Sequence, residues 1–141
     1  MAFTGNYSCN TLRSGLVDGT INFSTDTFKL ALFTNTATLN ASTTEYSTTG
    51  EASGGNYVAG GQVVTATINS GTNSAQQNVT YVNFSSPAWT GSITARGALI
   101  YNSTTGAAVC VLDFGSDKTA TNTFTVTFPA FTSSDAVIRL N

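Results

Sequence analysis

Chemistry in this chain would have to come from seven carboxylates, two cysteines and five scattered basic residues, because its 141 residues include no histidine. That absence removes the commonest general base and metal ligand together. Ser–His nucleophilic catalysis is excluded, and Cys9 and Cys110 alone cannot supply the four ligands of a zinc site. Glu45 and Glu51 stand close in sequence, and a carboxylate pair is what a glycosidase uses. A catalytic acid, however, needs burial or apolar neighbours to raise its pKa, and the Thr/Ser/Gly surroundings of this pair predict solvated side chains. Asp113, Asp117 and turn carbonyls compose a conceivable calcium site. The plainer reading, adopted here, is a pair of solvated turn aspartates. The expectation is a chain without catalytic residues, cofactor or metal.

Three other residues have types that could recognise something. Arg96 interrupts the apolar run Ala95-Arg96-Gly97-Ala98-Leu99, and a partly buried guanidinium needs an acceptor. Asp113 is the intramolecular candidate, with an acceptor on another subunit as the alternative. Trp89, in Ser86-Pro87-Ala88-Trp89-Thr90-Gly91, could stack on a sugar ring or plug one end of the core. Cys110 sits in the apolar Ala108-Val109-Cys110-Val111-Leu112 and reads as a small core hydrophobe. It could form at most one bridge with Cys9, and a reducing site of synthesis would leave both thiols free.

The elements that must position these residues are strands. Thr123-Phe124-Thr125-Val126-Thr127-Phe128 alternates with period two, which puts three apolar side chains on one face and three threonines on the other. Similar runs predict strands over 26–34, 62–69, 78–85, 93–101, 107–114, 123–130 and 136–140. Turn chemistry separates them at 70–73, 102–106 and 115–118. Near the start, Ser8 could cap a short helix with Cys9, Leu12 and Leu16 on one stripe, weakened by Gly15 and ended at Asp18-Gly19. Residues 35–61 lose all periodicity in a Gly/Thr/Ser-rich loop. Its length and its glycines predict a segment mobile in the free protein and ordered on binding. The fold expected is all-β: a single-domain, jelly-roll-like β-sandwich spanning 1–141, with about seven strands and one short N-terminal helix.

Composition narrows the partners. Net charge is −2 and the bases, Arg13, Lys29, Arg96, Lys118 and Arg139, stand singly, so neither nucleic acid nor an anionic membrane finds a basic cluster. No apolar run reaches the length of a spanning helix. The first residues carry neither a basic region nor an apolar stretch of the kind a secretory signal needs, so synthesis in the cytoplasm is expected.

Several stretches carry a resemblance. Phe23-Ser24-Thr25-Asp26-Thr27-Phe28-Lys29-Leu30-Ala31-Leu32, Thr36-Ala37-Thr38-Leu39-Asn40-Ala41-Ser42-Thr43-Thr44, Tyr57-Val58-Ala59-Gly60-Gly61, and Thr94-Ala95-Arg96-Gly97-Ala98-Leu99-Ile100-Tyr101-Asn102 with Leu112-Asp113-Phe114-Gly115 resemble small structural proteins of tailed bacteriophages. Within that group the chain is similar to capsid decoration, or cement, proteins. The resemblance implies a non-enzymatic virion protein on the capsid exterior, with the major capsid protein and copies of itself as partners. It brings no catalytic residues. On this reading the contact candidates are Tyr46 and Tyr57 in the long loop, Trp89 in its own loop, and Arg96. The alternative is a tail-associated carbohydrate- or receptor-binding module that uses Trp89 and Tyr57 as stacking platforms.

Overall fold

A computed structural model describes residues 3–129, 132 and 136–140. In chain order the elements are β1 (Tyr7–Ser8), α1 (Asn10–Asp18), β2 (Phe28–Phe33), β3 (Gln62–Val64), β4 (Ala66–Thr72), β5 (Asn78–Phe84), β6 (Ala88–Thr90), β7 (Ile93–Asn102), β8 (Ala108–Ala120), β9 (Thr123–Thr125) and β10 (Ile138–Leu140). The fold is all-β with one short helix, as expected. Among the described residues no helix is long and apolar enough to cross a membrane.

Every strand pair is antiparallel. A five-stranded sheet runs β1-β8-β7-β2-β3, a three-stranded sheet runs β10-β5-β4, and β6 pairs with β9. β2 explains why the large sheet is central. Phe28, Leu30 and Leu32 point into one apolar cluster, while Ala31 and Phe33 point into another. A strand buried on both faces needs a layer on each side. One layer comes from the smaller sheets, which contribute Val82, Phe84, Trp89, Phe124 and Ile138. The other comes from the N-terminal residues and the 35–61 segment, which contribute Phe3, Cys9, Ala37 and Leu39.

The wet-and-dry alternation read at 123–128 holds for Phe124 and Val126, which are buried between exposed threonines, although the ladder itself stops at Thr125. The last residue of that predicted strand, Ala130, lies outside the described residues. The predicted strand 62–69 is two strands, because at Thr65 the chain leaves one sheet for another. β1 and β6 are too short to show a period, so alternation could not reveal them.

Three local expectations are corrected. Ser8 does not cap α1: it is held in β1 opposite Cys110, so Cys9 takes the cap position without a side-chain bond. The helix does end at Asp18, and Gly15 inside it has a packing reason, since a Cβ there would lie 2.7 Å from the Ile21 side chain. The predicted turn at 70–73 is displaced. β4 continues to Thr72 opposite Asn78, and Asn73 makes the reversal by accepting the N–H groups of Ala75 and Gln77, each at 3.0 Å. Finally, 115–118 does not end β8. The register steps from Gly97↔Asp113 to Ala95↔Lys118, so Phe114 to Asp117 bulge out opposite Arg96 and the strand resumes.

Candidate functional site: the tyrosine–glutamate cluster and the helix groove

The long loop reaches its position through backbone bonds to the end of β2. Thr34 N–H donates to Gly50 C=O and Ala52 N–H to Leu32 C=O, each at 2.8 Å, with Phe33 and Glu51 forming a bridge between them. This places the Glu51 carboxylate, half-buried, among three tyrosines. Tyr46 O–H lies 2.7 and 2.9 Å from its two oxygens, Tyr57 O–H donates at 3.2 Å, and Gly60 N–H donates at 2.9 Å to the nearer oxygen. Tyr57 O also accepts the N–H of Leu32 at 2.9 Å, where β3 no longer runs alongside β2. Tyr101 O–H closes the ring by donating to Gly60 C=O at 2.7 Å, and its ring stacks on Tyr46 with centroids 4.5 Å apart. Gly61, at φ +78, continues this path. A Cβ there would lie 1.8 Å from the Leu30 carbonyl, so only glycine passes.

Burial pushes all three phenols up, and the hydrogen bond or charge of Glu51 adds to it. Tyr101 rises to about 12, and Tyr46 and Tyr57 go beyond that. The phenols are therefore fixed donors at neutral pH, and the carboxylate spends its lone pairs on Tyr46, Tyr57 and the Gly60 N–H. Chemically the cluster is a clamp. The expectation that Glu51 is solvated is corrected, while Glu45 is exposed and bridges to Ala107.

The second half of the loop docks on the segment that carries Trp89. Asn56 and Thr90 bond reciprocally, Asn56 N–H to Thr90 C=O and Thr90 N–H to Asn56 Oδ1, each at 2.8 Å. Trp89 itself is 1% exposed, pairs across β6–β9 with Phe124, and lies 5.4 Å from the Tyr57 ring. The two segments read as separate contact loops hold each other. Trp89 is the core plug, and its ring has no free face to offer a sugar. The 35–61 segment, read as free until a partner orders it, is already folded against the sheet. The tertiary contacts that offset its entropy are intramolecular.

Arg96 stands apart from this cluster. Its Nε donates to Asp113 Oδ1 at 3.1 Å, with side chains 14% and 12% exposed, so the intramolecular partner is the one observed. Burial alone would raise the Asp113 carboxyl, but the Gly115 N–H and the Arg96 guanidinium outweigh it and hold it below the usual range. Asp117 accepts from Asn35 Nδ2 at 3.2 Å. Among the described residues no three His, Cys, Asp or Glu side chains converge as a metal site would require.

Tyr46, Tyr57 and Trp89 thus come together, but as the clamp and plug of the loop, and Arg96 secures the β8 bulge. Sequence reasoning missed a different feature. Between α1 and β10 runs an open groove of about 780 Å³. Leu12, Leu16 and Val17 line one wall, and Val137, Ile138 and Leu140 line the other. Val17 is 90% exposed and Leu140 50%. The helical spacing of Leu12 and Leu16 was visible in the sequence. That the stripe faces β10 depends on a pairing more than a hundred residues away.

No protein-family model, curated protein or solved structure matches this chain.

Proposed function

We propose that this chain is a non-enzymatic structural protein of a tailed-bacteriophage virion, and specifically a decoration protein that binds the outer capsid surface and reinforces contacts between shell subunits. The observation that carries this reading is spatial. The stretches bearing the resemblance are scattered from Phe23 to Gly115, yet they fall on β2, β7 and β8, which are neighbours in one sheet, and on the loop clamped to it. A scaffold shared with a family would leave this trace, with the contact surfaces free to differ.

The expected partners are the major capsid protein and copies of this chain. The groove between α1 and β10 offers the shell an apolar surface with Val17 and Leu140 exposed, and the hydroxyl-rich exterior adds hydrogen bonds that salt screens weakly. Many copies on a symmetric lattice gain avidity from individually modest contacts. The chain is made in the host cytoplasm on this reading and acts on the particle exterior.

Quantitative mass spectrometry of purified particles tests it. A decoration protein is present in numbers comparable to the major capsid protein, whereas a tail-tip module is present in a handful of copies. Shells stripped of the protein should assemble but release their genome at lower temperature, because binding only the assembled lattice stabilises it by mass action. Stripped and decorated particles that release DNA at the same temperature, with the stripped ones failing to adsorb to cells, would replace this reading by the receptor-binding one.

A further inference from the structure

Among the described residues, β4 is an edge strand that lacks the usual protection from Ala66 to Gly71. Natural sheets blunt their edges with lysine, proline, bulges or a covering segment. Ala66-Thr67-Ile68-Asn69-Ser70-Gly71-Thr72 has no charge and no proline, and it pairs with β5 in unbroken register along all seven residues. No charged residue occurs anywhere between Glu51 and Arg96. β4 is the outer strand of its sheet, and β3, one residue earlier in the chain, is the outer strand of the other. The two edges meet at Thr65 and leave apolar side chains exposed, Val63 at 57% and, at the open rim of the core-facing side, Ile68 at 43%.

The orientation of the free backbone groups follows from Ser70. It stands opposite Thr80, their hydroxyls are 3.1 Å apart, and its N–H bonds to the Asn69 side-chain oxygen at 2.9 Å. This residue's peptide therefore faces away from β5. In an antiparallel ladder that orientation alternates, so Ala66 and Ile68 share it.

We propose that β4 is an interface between two copies of this chain, paired antiparallel across a twofold axis at Ile68. That register places Ile68 against the partner's Ile68 and Ala66 against the partner's Ser70. The outward donors of Ala66, Ile68 and Ser70 then meet outward acceptors, and the two three-stranded sheets become one of six strands. Ile68 lies opposite Val82 on the core-facing side of the sheet, and its counterpart covers the apolar surface that the edge leaves open. A twofold contact sets the axis residue against its own copy and brings its near neighbours close to theirs, so a charge in the middle of the strand would meet its own repulsion. The complete absence of charge is what suits this edge to a second copy. The Asn69 side chain, now on the Ser70 N–H, gives way to the partner's Ala66 carbonyl. One pair of short strands makes an interface smaller than those of permanent dimers, so association is reversible with concentration.

Sedimentation of the isolated chain, from micromolar to about 1 mM, should show monomer passing to dimer. Amide exchange at Ile68 and Ser70 should slow in parallel. Ile68→Lys should raise the dissociation constant roughly tenfold or more, since two ammonium groups would meet. Ile68→Cys should cross-link between chains on mild oxidation, against a low background because Cys9 and Cys110 are buried. Val17→Cys, on the exposed face of α1, is the control and should not cross-link faster than random collision. If the lysine variant fails to fold, amide exchange and cross-linking still decide. A chain monomeric throughout, or equal cross-linking at both positions, overturns the proposal. So does protection of β4 that arises only when capsid shells are added, which would assign the edge to a strand of the shell. Because the measurements use the chain alone, they can fail without the virion reading failing, and the reverse.

Discussion

Tyr46 directs its phenol at both oxygens of the Glu51 carboxylate, at 2.7 and 2.9 Å. Around this contact Tyr57, Tyr101 and Gly60 complete a ring that turns a glycine-rich loop into one layer of the core.

Glu51→Gln keeps the size of the side chain but replaces an acceptor oxygen by a donor, which sets donor against donor at the Gly60 N–H or forces a phenol to give up donating and accept instead. A loss of about 1–3 kcal/mol in denaturant unfolding is expected. Limited proteolysis should then cut within 46–61 at protease levels that leave the parent intact. Equal resistance in the variant would show that the clamp is not what holds the loop.

Alkali tests the same cluster through the phenols. Tyr101 is raised to about 12 from an ordinary value near 10, and Tyr46 and Tyr57 are raised further, so the native state holds these protons more tightly than the unfolded one. Their contribution is complete below pH ~10 and is lost as pH climbs through that value towards 12 and beyond. Absorbance near 295 nm should show the three phenols ionising together with loss of structure. Free titration of all five tyrosines with the fold intact would contradict the assignment.

Trp89, the single tryptophan, should emit as a buried indole and resist quenching by iodide. Trp89→Ala should cost about 3–5 kcal/mol, the range for truncating a core aromatic. Titration with sugars should leave the emission unchanged, and a saturable shift would reopen the stacking role.

Both cysteines are free and buried, and burial pushes the Cys9 thiol up to about 11 and the Cys110 thiol further. Thiolate is the reactive form, so a disulfide reagent should modify neither residue until the chain unfolds. Reductant should leave Tm unchanged. A fall of many degrees on adding it would reveal a bridge in solution.

Residues whose environment is set by near neighbours were legible. Phe124 and Val126 alternate with threonines, and a period of two allows only one side to be dry. Cys110 lies in an apolar run that any sheet would bury. Arg96 on one predicted strand, with Asp113 near the end of the next, 107–114, leaves few acceptors closer. The stop at Asp18-Gly19 is local backbone chemistry.

Tertiary structure decided the rest, because burial of a polar or aromatic group depends on what the chain brings over it. Glu51 sits among Thr, Ser and Gly in sequence and looks solvated there. It becomes a clamp only because the end of β2 holds Gly50 and Ala52, and because Tyr101 arrives on β7 from fifty residues away. The 115–118 turn signal was real chemistry, but β7 pairs on both sides of it, so the ladder absorbed it as a bulge. β4 shows the same division. Its lack of charge is written in the sequence, whereas its place at the outside of a sheet follows from β5 pairing with β10 on the other side, and that placement turns the backbone groups of Ala66 and Ile68 outward.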